Sequence, residues 1–133
     1  MAAMPAAKQG DMVQAFDTHI VMVPAPGGTV PTPTPGHPFN GLIDGGLSAD
    51  VTIMGRPAAT VGSTATNQPP HLPIGGPSFQ TPPTNRATIM QGSGTVLING
   101  KPAARQGDSA LTCDDLTPTP HGQVIASGSV LIG

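Results

Sequence analysis

Residues 101–108 read KPAARQGD, and two looser copies of this phrase stand upstream, PAAKQGD from Pro5 and PAATVGS from Pro57. The copies start at Pro5, Pro57 and Pro102, 52 and 45 residues apart, so one unit recurs with connecting segments of unequal length. Self-similarity at such periods marks a repeat architecture, in which each unit buries its apolar face against its neighbours. The second and third copies follow a strand-like run and a glycine, VTIMGRPAA and TVLINGKPAA, whereas the first has no such run before it. The last residues, SGSVLIG, match SGTVLING at 93–100 and are followed by no Pro-Ala-Ala. The C-terminal run therefore supplies the strand that the first copy lacks, and three units joined head to tail make a pseudo-threefold ring. Closing the ring also pairs strand edges that would otherwise invite association.

A chain of 133 residues suits one compact domain spanning 1–133, with no room for an attached enzymatic module. Its 18 Gly and 17 Pro would suit disorder, but a net charge of only −2 and the clusters VTIM, TVLI and SVLI argue for short strands joined by stiff loops. Strands are expected near 51–54, 87–91, 95–99, 123–126 and 129–132, with 18–23 a further candidate. The Ser-Gly pairs at 93–94 and 127–128 read as hairpin turns between apolar runs. No segment keeps a helical period, and prolines interrupt most windows long enough for a helix. The expected fold class is thus all-β: a small pseudo-threefold ring of short strands and hairpins, its Pro/Gly-rich loops converging at one end.

With no Trp or Tyr and three Phe, the core is small, and such domains commonly lean on a disulfide, a metal or a partner. The single Cys excludes an internal disulfide. Five Lys and Arg residues are too few and too scattered for a nucleic-acid footprint. The longest apolar runs fall far short of the roughly 20 residues of a membrane helix. The N-terminus has no charged region followed by an apolar stretch, so it is not a signal peptide, and if the protein leaves its cell something other than a cleaved signal carries it.

The repeat frame also places the metal-binding residue types. His19 lies 14 residues after Pro5 and His71 lies 14 after Pro57; the third frame has Leu116 there, flanked by Cys113 and His121. Three imidazoles and one thiolate complete a four-coordinate set for zinc, although iron or another transition metal accepts the same donors. Taken singly, a loop histidine is usually just solvated and a lone cysteine a small buried hydrophobe. What raises His19, His71, Cys113 and His121 above that reading is their register with the repeat. His37, in TPGHPFNG, has no counterpart and reads as a loop residue that competes for one position. Asp17 is a candidate to orient His19 from behind, while Asp11 and Asp108 read as turn residues satisfying local amides. Four protein ligands leave no open position for water, so the site points to structure rather than hydrolysis.

With these phrases and this ligand set, the chain resembles the PAAR-repeat family, the spike-tip proteins of type VI secretion and related contractile injection systems. The resemblance is specific at PAAR, 102–105, and looser at PAAT, 57–60, and PAAK, 5–8. It implies a non-catalytic cone whose broad base sits as a monomer on the blunt end of a trimeric VgrG-like spike. It also implies an apex locked by one structural Zn2+ on His19, His71, Cys113 and His121, poised to pierce a target membrane after ejection. An added role as an adapter for non-covalently bound effectors, through loops at 24–50 or 72–86, is compatible with this. A metallo-hydrolase using Asp114 or Asp115 as base is the remote alternative. The long segment 24–50, read as a loop, is where the chain departs from the repeat.

Overall fold

A Pro-Ala-Ala phrase in extended backbone turns its two alanines to opposite sides. The computed structural model, which describes residues 3–133, uses that alternation three times. Its strands are β1 (Met4–Pro5), β2 (Met12–Ala25), β3 (Gly28–Gly45), β4 (Thr52–Ile53), β5 (Arg56–Pro57), β6 (Thr64–Asn67), β7 (Ser78–Phe79), β8 (Arg86–Ile89), β9 (Leu97–Ile98), β10 (Lys101–Pro102), β11 (Ser109–Leu111), β12 (Gly122–Ile125) and β13 (Leu131–Ile132). Among the described residues there is no helix.

The first alanines, Ala6, Ala58 and Ala103, pack with Ile53, Ile98 and Ile132 in a lower core. The second alanines, Ala7, Ala59 and Ala104, face an upper core with Val13, Phe39, Ile43, Ile89 and Val124. Between the cores the three phrases meet in a ring of backbone hydrogen bonds: Ala7 N to Ala104 O at 2.9 Å, Ala59 N to Ala7 O at 3.0 Å and Ala104 N to Ala59 O at 3.0 Å. The bridges Ala6↔Arg105, Lys8↔Ala58 and Thr60↔Ala103 complete the cycle, each joining the second residue of one phrase to the fourth of another. Each phrase then turns sharply. Gly10, Gly62 and Gly107 hold φ of +90°, +92° and +87°, a region that side-chain-bearing residues enter only at a cost. The residue after each glycine closes the turn: Asp11 Oδ2 accepts from Lys8 N at 3.1 Å, Ser63 Oγ from Thr60 N at 2.9 Å and Asp108 Oδ2 from Arg105 N at 2.7 Å.

Below the ring lie three two-stranded ribbons, β4–β5, β9–β10 and β1–β13. The last pairs Met4 with Ile132 and Pro5 with Leu131, so the C-terminal run does complete the first unit. Above the ring, β2–β3–β6–β8–β11–β12 form an antiparallel sheet that closes through the pairing of β12 with β2. Closure leaves no open edge around this barrel. Its interior is lined by threefold-equivalent residues, Val13, Ala65 and Ala110 from one position and Ile43, Ile89 and Val124 from another, all fully buried.

Two expectations are corrected. The Ser-Gly pairs are not hairpin turns: β8 pairs with β6 and β11, and β12 with β11 and β2, so neither folds back on the run that follows it. Ser93 Oγ instead accepts from Thr95 N and Val96 N at 3.1 and 3.0 Å, a local turn that carries the chain down to the base. The true hairpins turn at Met54-Gly55 and Asn99-Gly100, where both residues of each pair have positive φ, as a two-residue turn between twisted strands requires.

Nor is 24–50 a loop. Most of it is β3, paired with β2 from Ala25↔Gly28 down to Met12↔Leu42. A proline-rich strand is possible because Pro31, Pro33 and Pro35 recur every second residue. Their missing N–H groups therefore all fall on the side away from β2, where no ladder bond is lost. Pro38 breaks that phase. The register shifts at the same place, between Asp17 and His19, opposite Gly36 at φ +87°.

Two variants test this account. Ala59→Val inserts bulk at the axis, where Ala59 is 1% exposed, and should cost about 1–3 kcal/mol by chemical denaturation. Met54→Asn relieves a side chain held at φ 52° and 55% exposed; it should add about 1 kcal/mol and raise the thermal midpoint by a few degrees.

Candidate metal centre

Alternation along β2 turns Val13, Asp17, His19 and Val21 inward, and the upper part of the strand carries this face past the barrel. Asp17 and His19 are fully buried there. Loop 68–77 brings in His71, and the segment after β11 brings in Thr112 and Cys113. Donor atoms of Asp17, His19, His71 and Cys113 all lie within 4.8 Å of one another.

Neighbouring groups hold each donor. His71 N donates to Asn85 Oδ1 at 2.8 Å, and Asn67 Nδ2, itself held by Asn85 Oδ1 at 3.2 Å, stands 3.4 Å from His71 Nδ1. With that nitrogen as acceptor, the ring's proton is on Nε2 and is donated to Asp17 Oδ2 at 2.9 Å. The other oxygen of Asp17 accepts from the Thr112 hydroxyl. His19 Nδ1 lies 3.4 Å from Asp115 Oδ2, which also accepts from Ile20 N at 3.0 Å. Asp115 thus stands behind His19, and Asp17, expected in that place, lies against His71 instead.

The electrostatics follow from burial. Burial by itself would push Asp17 upward, but hydrogen bonds from His71, Thr112 and Cys113 outweigh it and hold the carboxyl below its ordinary value. Burial, reinforced by the Asp17 charge, pushes the Cys113 thiol up to about 12. A buried carboxylate therefore shares its site with a thiol and two imidazoles, an arrangement that a cation balances.

The donor set fits a metal ion. In a tetrahedral zinc site, bond lengths of about 2.3 Å to sulfur and 2.0 Å to nitrogen place neighbouring ligands roughly 3.5 Å apart. Cys113 Sγ lies 3.7 Å from His19 Nε2 and 3.5 Å from Asp17 Oδ2, close to those edges. Binding would replace the His71 Nε2 proton and ionise Cys113, both of which a metal does.

His121, the fourth residue of the sequence-based set, stands outside this group in a second one with Asp17 and Asp114. Its side chain is 37% exposed, with Nδ1 at 3.0 Å from Asp114 Oδ2 and Nε2 at 3.5 Å from Asp17 Oδ1 and 3.1 Å from Phe16 O. His37 is buried at the edge of the first group, its ring centroid 5.3 Å from that of His19 and 5.8 Å from that of His71. Its Nε2 accepts from Ile74 N at 3.3 Å, and its Nδ1 is buried without a partner. Burial, then the neighbouring His19, lowers the pKa of His37.

Sequence reading undervalued two residues here. Asp17 has a local signal, since residues two apart on a strand face the same way and Asp17 and His19 are so placed. His37 has none within its own repeat; it is opposite Asp17 through the pairing of β3 with β2.

A model of the family described as PAAR motif matches residues 1–115, and matches again over 79–133. Neither the curated proteins nor the solved structures give a match. The longer family match spans all three Pro-Ala-Ala phrases, the ring they close and the buried Asp17, His19, His71 and Cys113, and the chain belongs to the PAAR-motif family.

Proposed function

We propose that this protein is the non-catalytic tip of a contractile injection system, capping a trimeric VgrG-like spike with its three-ribbon base and held rigid at the other end by one structural Zn2+. The observation that carries this reading is the pairing of a closed pseudo-threefold ring with a buried His, Cys and Asp group at the end opposite the base ribbons. A pseudo-threefold monomer matches a true threefold end face with three similar contacts. Ile53, Ile98 and Ile132 hold the ribbons together from inside, while Thr52, Leu97 and Leu131 at the matching neighbouring position face outward. Short strands with outward apolar side chains suit docking onto a β-structured partner.

His19, His71 and Cys113 are the ligands common to the repeat frame and the buried group. The fourth position falls to His121 by sequence register; His37 and Asp17 are the competitors that burial brings forward. Structural rather than catalytic use is favoured by the acids nearby, because Asp114 Oδ1 accepts from Thr18 N at 2.8 Å and Asp115 Oδ2 from Ile20 N. Both carboxylates are thereby engaged with backbone. Without a metal the Cys113 thiol, 8% exposed and held near 12, is no nucleophile at neutral pH.

Elemental analysis by plasma mass spectrometry tests the metal. About one zinc per chain is expected, lost in His71→Ala/Cys113→Ser with a fall of roughly 10 °C or more in thermal midpoint. His121→Ala and His37→Ala, measured separately, identify the fourth ligand by which one lowers zinc content. No zinc in the wild-type protein would remove the site. Docking is tested by co-purification with a trimeric spike: one chain per trimer is expected, and Leu97→Asp/Leu131→Asp should abolish the complex while leaving zinc bound. A complex that survives this change would overturn the assignment of the base.

A further inference from the structure

Of the four buried donors, His71 lies farthest along the chain from any strand. Asp17 and His19 stand on β2 and Cys113 closely follows β11, whereas His71 is carried by the loop 68–77 between β6 and β7. Among the described residues, 69–77 make no backbone–backbone hydrogen bond. Pro69, Pro70, Pro73 and Pro77 have no N–H to offer. Nor does the loop pack down on the sheet: a cavity of about 270 Å3 lies between Pro70, His71 and Ile74 on one side and Pro38 and Asn67 on the other.

Two side-chain acceptors hold the loop instead. Asn85 Oδ1 accepts from His71 N at 2.8 Å, and His37 Nε2 accepts from Ile74 N at 3.3 Å. Each acceptor is itself fixed. Asn85 has φ +58°, a left-handed conformation that asparagine enters more readily than most residues. Its C=O accepts from Asn67 N at 2.8 Å and its Nδ2 donates to Pro83 O at 3.3 Å, so Oδ1 is the atom turned toward the loop. Its backbone N–H also counters the effect of burial on the Cys113 thiol, so this one residue serves donors on two segments. His37 is 1% exposed and is set in β3 opposite Asp17. With Nε2 engaged by Ile74, its proton is on Nδ1, and His37 is not among the donors gathered within 4.8 Å of one another.

We infer that Asn85 and His37 are positioning residues of the metal centre, pinning the loop so that His71 meets Asp17, His19 and Cys113, and that His37 acts as an acceptor rather than as a ligand. The fourth ligand position then rests between His121 and Asp17. A ligand already held in place loses less conformational freedom when the ion arrives, and groups that orient ligands commonly govern about tenfold to a hundredfold of a metal's affinity. This inference rests on the metal reading above.

Zinc affinity, measured by competition with a chromophoric chelator, is the test. Asn85→Gly keeps the left-handed backbone and its N–H but removes the acceptor, and affinity should fall about tenfold or more. Asn85→Asp returns an oxygen to the same place and should bind zinc at least as tightly as the wild type. His37→Gln keeps an acceptor for Ile74 N and should match the wild type, whereas His37→Phe, without one, should lose about tenfold. A second measurement needs no variant: in the cadmium-substituted wild-type chain, NMR should show metal coupling on the rings of His19 and His71 and none on that of His37. Undiminished affinity in Asn85→Gly, an equal loss in Asn85→Asp, a loss in His37→Gln as large as in His37→Phe, or metal coupling at His37 would overturn the inference. A wild-type chain that binds neither zinc nor cadmium would end the metal reading itself, which separates the two failures.

Discussion

Three backbone hydrogen bonds among Ala7, Ala59 and Ala104 hold this molecule's symmetry together. They demand that three segments, far apart in sequence, approach until their Cα atoms nearly share an axis, and at that distance a methyl group is the largest side chain that fits. The constraint explains why the repeated phrase is so poor in information and so closely kept. Proline holds the incoming strand extended, one alanine fills the lower core, the next fills the upper core, and the glycine of the following turn lets the chain leave the axis. Both cores depend on the ring, since the base ribbons and the barrel are each built from the segments that enter and leave it.

The same chain then spends an extra length in its first unit. β2 and β3 rise beyond the barrel, and the prolines of β3 occupy the outward ladder positions, so a strand with an unpaired edge presents few donors to a stray partner. Where the proline phase changes, from Pro35 to Pro38, the register shifts, and Asp17, His19 and His37 all come to face inward. The irregularity in the ladder is therefore what gathers the polar group that the two other loops complete.

That group concentrates acceptors. Asp17 alone meets His71, Thr112 and Cys113, and Asp114 is pushed up by burial, opposed by the N–H of Thr18 and reinforced by the Asp17 charge. A group of this kind could hold a cation, which would tie the three loops to one another through its ligands. The lower end is organised by opposite means: Lys8 and Arg105 are paired with Asp11 and Asp108 in the ring turns, and aliphatic side chains hold the ribbons.

The all-β class, the three-unit frame, the completion of the first unit by the C-terminal run and the clustering of His19, His71 and Cys113 are legible in local spacing: repeats, β-branched runs, and the 14-residue offset of His19 and His71 from their prolines, with Cys113 near the same place in the third unit. The hairpin turn at Asn99-Gly100 is also written there, as an Asn-Gly pair that is a stronger turn signal than Ser-Gly. That 28–45 is a strand, that Asp17 joins the buried group, that His37 is buried beside it and that His121 lies at its exposed margin are settled in three dimensions alone. The physical reason is that these depend on cross-strand register. A proline-rich segment with no partner in view reads as a loop; once β2 is beside it, its two-residue proline spacing is what lets it be a strand.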